Sequence, residues 1–197
     1  MVIDDVLEIN RRLFYNLWHI ANVSCVPSGL SPRLILPKKR TEDIRISKQE
    51  ARFLYCSLLN NLNYFYSVET PTEEVYIQKG QTPQSAASDL SLYTYNNKTF
   101  SKVMNVEFKA HNPPEEHIRK DIEKLLKESI PGNWFHNLKN IDRRTLSRLF
   151  EKIANSLRAC QTIVKCSDIS IIFSFCVLEK KWGCTKHFLS SFIDWEY

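Results

Sequence analysis

The sequence has little glycine, and several common motifs are missing from it. Four glycines in 197 residues exclude collagen-like and Gly/Ser-linker chains. No apolar run approaches the roughly 18 residues of a membrane-spanning helix, and the acidic start of the chain lacks the apolar stretch of a secretory signal. We therefore expect neither feature. Without GxxxxGK[ST] and GxSxG, a P-loop NTPase and a nucleophile-elbow hydrolase are also excluded.

Cysteine is present, but not in patterns that bind zinc. None of the six cysteines belongs to a CxxC pair, and no Cys/His set has zinc spacing. Several lie in apolar runs such as LYCSLL and FSFCVL, where a free thiol behaves as a small hydrophobe. This usage is typical of a reduced protein, so we expect a cytoplasmic location.

Composition and length indicate one folded domain. Apolar residues make up 43% of the chain and charged residues 25%, close to the averages for globular proteins. We expect a single domain over 1–197, with a helical N-terminal extension (1–47), a core (48–180) and an aromatic C-terminal tail (181–197). The net charge of +5 permits nucleic-acid binding without requiring it.

Hydrophobic periodicity predicts an α/β fold with a central mixed sheet flanked by helices. The helix that follows Ser47 begins with a capping box completed by Glu50, and Asn112 is expected to cap a later helix. Helical spacing is found in four segments: 5–22, the segment after Ser47, 113–129 and 143–159. Strand patterns lie near 64–70, 89–95, 103–109 and 168–178, and NWFHNL is a further candidate.

One predicted hairpin gathers the residues that suit catalysis. The segment 96–99 (NNKT) is a natural turn between two strands. Folding the hairpin about this turn sets Asp89 within one residue of Glu107. Because strand side chains alternate, Glu107 and Lys109 share one face while Phe108 points into the core. The sequence therefore predicts a compact acidic cluster with a lysine beside it.

Carboxylates placed in this way suit Mg²⁺ or Mn²⁺, hard cations that take oxygen ligands and keep several waters. A metal there can polarise a phosphodiester and lower the pKa of a bound water. Lys109 would lie beside that water and the phosphate, where it could position the nucleophile and offset negative charge. A solvated hairpin face with a simple Glu-Lys pair is the alternative.

The pattern of Asp89 on one hairpin strand and Glu107-x-Lys109 on the next, followed by a helix, resembles the PD-(D/E)XK nuclease superfamily. The resemblance covers roughly residues 48–180 in element order, and Ser88 stands where the family name has proline. It implies a restriction-endonuclease-like fold in which Asp89 and Glu107 bind the metal and Lys109 assists the attacking water.

Many members of the family add a glutamate from a helix before the hairpin. Glu50 matches that location and is the predicted third metal ligand, with Glu69 on the preceding strand as its rival. Because Glu50 also suits the capping box, both roles stay open for it.

Other polar residues are candidates for nucleic-acid contact. Gln78 and Lys79 lie in a polar stretch that leads to Asp89 and could reach a scissile strand, although a plain loop is the alternative. His111 could touch phosphate or could be a loop residue. Arg144 and Arg148 recur at four-residue spacing and could track phosphates, although a solvated helix face is the favoured interpretation.

The sequence therefore favours a metal-dependent nuclease acting on nucleic acid, with DNA as the expected substrate. The alternative is a non-catalytic nucleic-acid-binding or assembly protein. A homodimer and a separate targeting subunit are further expectations, with Trp18, Trp182 and Trp195 as candidate interface residues or core. The mixed charges of the helix after Glu107 are expected to form a solvated surface; they include Arg119, Lys120, Asp121, Glu123, Lys124, Lys127 and Glu128.

Overall fold

A computed structural model describes residues 2–22, 34–38, 43–76, 84–160 and 169–189. These residues form an α/β protein with a six-stranded mixed sheet and four α-helices. The helices are α1 (Val2–Asn22), α2 (Lys48–Leu59), α3 (Glu115–Lys127) and α4 (Arg143–Ala159). The strands are β1 (Phe65–Tyr76), β2 (Gln84–Asn96), β3 (Thr99–Ala110), β4 (Gly132–Leu138), β5 (Ser170–Val177) and β6 (Trp182–Leu189).

The strands follow one another across the sheet in chain order. β1, β2 and β3 form an antiparallel meander, whereas β3, β4 and β5 are parallel and β6 returns antiparallel to β5. Parallel neighbours need long connections, and α3 and α4 provide them between β3 and β4 and between β4 and β5. The central strands are therefore covered on both faces.

The two faces of the sheet have separate apolar cores. α1 and α2 pack on one face, where Leu13, Leu54 and Phe108 are fully buried. α3 and α4 pack on the other face, against β4 and β5 residues that include Trp134 and Phe173. Alternation along β3 therefore directs Phe108 towards α1 and α2, and directs Glu107 and Lys109 towards α3 and α4.

Most of the predicted elements are confirmed. The capping box of α2 forms between Ser47 and Glu50, and NWFHNL lies within β4. The turn between β2 and β3 has positive φ at Asn97 and Lys98, which matches a tight hairpin turn. The predicted N-terminal extension contributes α1 to the core rather than standing apart from it.

Two details of the fold differ from the expectation. Pro114, not Asn112, is the N-cap of α3 and makes no side-chain cap hydrogen bond. The Asn112 side chain instead accepts a hydrogen bond from Lys152 of α4 at 2.9 Å. β6 was not predicted, because WGCTKHFL has neither clear alternation nor a long apolar run.

The β1–β2 hairpin extends beyond the rest of the sheet. β2 pairs with β3 only as far as Leu90, but its pairing with β1 continues to Gln84. α3 holds this extension in place, because Lys124 donates to the carbonyl oxygen of Ala87 at 3.0 Å and Glu128 accepts from the backbone N–H of Glu73 at 2.9 Å. The extension is therefore anchored beside α3.

Two of the tryptophans named as interface candidates pack against the protein itself. Trp18 packs against the α1–α2 core, and Lys181 lies 4.0 Å from the centre of its ring. Trp182 packs against the core on the other face. Trp195 lies outside the described residues. None of the described helices is long and apolar enough to cross a membrane.

Candidate carboxylate–lysine site

The candidate site lies at one edge of the sheet, which we call the carboxyl edge. The parallel strands β3, β4 and β5 all end there, and α3 and α4 begin there. The extension of β2 also passes this edge. In open α/β sheets, ligands bind in the crevice outside the carboxyl ends of the strands.

Asp89 lies where β2 separates from β3. The last recorded pair between these strands is Leu90 with Val106, and the same register continued by one residue sets Asp89 opposite Glu107. Beyond that pair, the Asp89 carboxylate contacts β3 instead: Oδ2 accepts the backbone N–H of Phe108 at 2.9 Å. The other oxygen, Oδ1, lies 2.6 Å from Nζ of Lys48 on α2. The geometry thus agrees with the predicted hairpin.

Glu107 is buried on the α3 side of the sheet, with only 1% of the residue exposed. Its Oε1 accepts a hydrogen bond from Nζ of Lys124 at 2.8 Å. Burial, together with the charges of Asp121 and Asp89, raises the pKa of Glu107 to about 8, although Lys124 acts in the opposite direction. Glu107 therefore lies in the interior of the protein, beneath α3.

Lys109 shares the face of Glu107, as the alternation of β3 predicted. Its Nζ forms an ion pair with Oδ2 of Asp121 on α3 and lies 5.9 Å from the centre of the Trp134 ring. The lysine is thus held by one carboxylate and one aromatic face, both in the interior of the protein. It lies two residues from Glu107 and is partly exposed.

Lys124 links two of the carboxylates. Its ammonium group contacts Glu107 and also lies 3.1 Å from Oδ1 of Asp121. Burial lowers the pKa of Lys124, but the two carboxylates outweigh this effect, so its pKa is raised overall. Glu107, Lys124, Asp121 and Lys109 thus form an alternating chain of ion pairs, and Lys48 and Asp89 form a separate pair.

The expectation that the charges of this helix form a solvated surface is wrong for Asp121, Lys124 and Glu128, the last of which is buried at the C-terminal end of α3. Asp121 is buried, and the Lys124 side chain is 12% exposed. A signal for this was available: Asp121 lies three residues after Ile118 and four before Leu125, which places it on the apolar stripe of the helix. No comparable pattern marks Lys48, because its proximity to Asp89 depends on how α2 packs on the sheet.

His111 is bonded to the protein rather than directed only at solvent. Its backbone N–H donates to the carbonyl oxygen of Asn137 at 3.1 Å, and its ring Nε2 lies 3.1 Å from the carbonyl oxygen of Ile46. Its φ of 64° is in the left-handed region, which is uncommon for a residue with a side chain. These contacts fix the end of β3 near the start of α2.

His136 lies beside Lys109 on β4 and is fully buried. Its Nε2–H donates to the carbonyl oxygen of His111 at 2.5 Å. Burial lowers the pKa of His136 to about 4, and the charge of Lys109 acts in the same direction. The imidazole is therefore neutral over the ordinary pH range.

The structure uses the carboxylates of Glu50 and Glu69 for other contacts. Glu50 accepts the backbone N–H of Ser47 at 2.8 Å and also contacts the Ser47 hydroxyl, as the capping box requires. Glu69 forms an ion pair with Arg52 of α2. Neither contact joins these residues to Asp89 or Glu107, so a metal-binding role for Glu50 stays a prediction.

The remaining candidates are spread around the carboxyl edge. Arg144 and Arg148 are exposed in the first two turns of α4, which begins at this edge. Lys152 one turn further on is not part of a free stripe, because it bonds to Asn112 and to the carbonyl oxygen of Pro113. Gln78 and Lys79 lie outside the described residues.

Within the described parts of the chain, no group of three or more His, Cys, Asp or Glu side chains could hold a metal ion. A cation at this edge would therefore have few protein ligands, which is usual for Mg²⁺, because it is bound by one or two carboxylates together with waters and substrate phosphates. The carboxylates available here are those of Asp89 and Glu107 on adjacent strands, which contact lysine ammonium groups and, for Asp89, a backbone N–H.

Comparisons of the chain with protein-family models, with curated proteins and with solved structures found no match.

Proposed function

We propose that this protein is a divalent-metal-dependent nuclease that hydrolyses phosphodiester bonds of nucleic acid, with DNA as the expected substrate. The observation that carries the proposal is the juxtaposition of Asp89 and Glu107 at the separation of β2 from β3, with Lys109 on the same face as Glu107. A lysine beside two carboxylates on neighbouring strands suits phosphodiester chemistry.

The order of elements supports the resemblance to the PD-(D/E)XK superfamily. α2, the β1–β2–β3 meander, α3 and the parallel strand β4 follow one another along the chain. The aspartate lies on the second strand of the meander and the Glu-x-Lys on the third, followed by a helix. A restriction-endonuclease-like core is therefore part of the proposal.

Each side chain of the site has a distinct role in this proposal. Asp89 and Glu107 would hold the cation, which when bound polarises the phosphodiester and lowers the pKa of its water. Lys109 would bind and orient the attacking water and offset negative charge on the phosphate. Asp121 would hold Lys109 at its present position until substrate arrives.

The exposed arginines support binding of a polyanion. Arg144 and Arg148 are exposed where α4 begins at the carboxyl edge, and they would contact phosphates on either side of the cleaved bond. A homodimer would place two such sites on a duplex, whose strands are themselves related by a two-fold axis. A separate targeting subunit and a cytoplasmic location complete the proposal.

A non-catalytic nucleic-acid-binding or assembly protein is the second candidate. It is favoured by one observation: each of the three carboxylates already contacts a lysine, so none of them needs a metal ion as its partner. In that case the same fold would bind nucleic acid through Arg144 and Arg148 without cutting it.

The two candidates are separated by a cleavage assay with matched variants. Purified protein is incubated with plasmid DNA, single-stranded DNA and RNA, with Mg²⁺ or Mn²⁺ and with EDTA. We expect cleavage that needs the metal, is lost in Glu107→Gln and is retained in Glu116→Gln, which changes an exposed glutamate of α3. Binding of these nucleic acids without metal-dependent cleavage of any of them would favour the non-catalytic candidate.

A further inference from the structure

Lys48 is the most accessible lysine of the site. Its side chain is 39% exposed, compared with 19% for Lys109 and 12% for Lys124. It is the first residue of α2, a helix that belongs to the opposite face of the sheet from α3. No pattern in the sequence indicates that Lys48 belongs to the site, because the packing of α2 on the sheet is what brings it to Asp89.

The three lysines are held differently. Lys124 contacts two carboxylates and the carbonyl oxygen of Ala87. Lys109 contacts Asp121 and lies over an aromatic ring. Among the described residues, Lys48 has one polar partner, Oδ1 of Asp89 at 2.6 Å. Lys48 can therefore leave its position at the cost of one ion pair that is partly open to solvent.

The two oxygens of Asp89 also differ. Oδ2 accepts the backbone N–H of Phe108, and Oδ1 is paired with the ammonium group of Lys48. A divalent cation bound at Oδ1 would repel that ammonium group, because like charges so close together interact unfavourably. Binding of a cation at Oδ1 therefore weakens the ion pair that holds Lys48.

We propose that Lys48 is a substrate-binding residue that is stored on Asp89 in the metal-free protein and released to a phosphate of the nucleic acid once Oδ1 binds a cation. Lysine is suited to this exchange because it is a compact charge on a flexible stem that binds phosphate without a fixed geometry. Lys48 also lies at the N-terminus of α2, where the positive end of the helix dipole adds to its attraction for a phosphate. The inference rests on the proposed nuclease function.

The proposal predicts that Lys48 contributes to nucleic-acid binding only when metal is present. The test compares Lys48→Met with Lys98→Met, which removes an exposed lysine from the β2–β3 turn at the far end of the sheet. Affinity for a fluorescent DNA duplex is measured by anisotropy in EDTA, and KM for cleavage of the same duplex is measured in Mn²⁺. Mn²⁺ affinity without DNA is measured by calorimetry, with Asp89→Asn as the reference.

For Lys48→Met we expect the affinity for DNA in EDTA to equal that of Lys98→Met. In Mn²⁺, its KM should rise about tenfold, as the loss of a charged contact would give. Mn²⁺ should bind Lys48→Met more tightly than it binds the wild type, because the competing ammonium group is gone. Equal KM values for the two lysine variants, or weaker Mn²⁺ binding by Lys48→Met, would overturn the proposal.

The outcomes also separate this inference from the proposed function. If Mn²⁺ binds the wild type and Asp89→Asn equally and no DNA is cleaved, the nuclease proposal fails and the role of Lys48 fails with it. If Mn²⁺ binding needs Asp89 and DNA is cleaved, but Lys48→Met behaves like Lys98→Met, only the role of Lys48 is overturned.

Discussion

The carboxylate of Asp89 accepts the backbone N–H of Phe108 at 2.9 Å, although the two residues belong to strands that have already separated. The side chain thus takes over a hydrogen bond that the β2–β3 ladder no longer provides. Asp89 therefore has a structural role at the separation of the strands in addition to its proposed role as a metal ligand.

Replacing Asp89 should test the structural role. Asp89→Ala leaves a buried N–H without its partner, so we expect a loss of about 1–3 kcal/mol in the free energy of unfolding. Asp89→Asn keeps an acceptor oxygen for Phe108 and should lose less. Denaturant unfolding of both variants measures the difference, and equal stability of Asp89→Ala and the wild type would contradict the role.

The raised pKa of Glu107 predicts a pH-dependent stability. Because the folded protein holds the proton up to about pH 8 while the unfolded chain releases it near 4.5, Glu107 stabilises the fold fully only below about pH 4.5. This contribution is lost as the pH rises through 8. In metal-free buffer, the stability of the wild type relative to Glu107→Gln should fall across this window. A constant difference from pH 4.5 to 9 would show that the pKa of Glu107 is not raised.

Removing Lys124 should leave Glu107 without its ammonium partner. The side chains of this ion pair are almost fully buried, so we expect Lys124→Met to lose about 3 kcal/mol of stability where Glu107 is ionised. The loss should be larger at pH 9 than at pH 6. Lys120→Met is the matched control on the same helix, because Lys120 pairs with Glu116 on an exposed surface and should change stability little. Equal effects of the two substitutions would argue against a buried pair.

Because His136 is buried, we expect the stability of the fold to decrease in acid. Its pKa is lowered to about 4 in the fold from a usual 6.5, chiefly by burial. The unfolded chain therefore binds a proton that the folded protein does not, and the contribution of His136 to stability is lost as the pH falls from about 6.5 to 4. His136→Gln should lessen this loss in acid denaturation followed by circular dichroism. An unchanged acid transition would contradict a neutral buried imidazole.

The sequence predicted helices and strands well where a single hydrophobic period dominated the segment. The apolar stripe of α4 and the continuous run of β5 gave those elements with little ambiguity. The hairpin turn at Asn97 also fixed the register closely enough to bring Asp89 to Glu107. β6 could not be predicted because its apolar alternation is weak and its position depends on pairing with β5.

Only part of the candidate site could be predicted from the sequence. The Glu-x-Lys pattern marked Glu107 and Lys109, but nothing local indicated that Glu107 is buried beneath α3. Lys48 is far from the motif in the sequence, and Lys124 belongs to a helix of mixed charge. Contacts between side chains on different elements depend on how those elements pack, and packing is not encoded by spacing along one segment.

The most direct test of the central claim is the rate of DNA cleavage as a function of Mg²⁺ concentration, measured for the wild type and Asp89→Asn. We predict a wild-type rate that rises with Mg²⁺ to a plateau and disappears in EDTA, and a rate at least about 100-fold lower for Asp89→Asn, as expected when a charge that stabilises the transition state is lost. No cleavage by the wild type at any Mg²⁺ concentration, or the same rate for both proteins, would contradict the account.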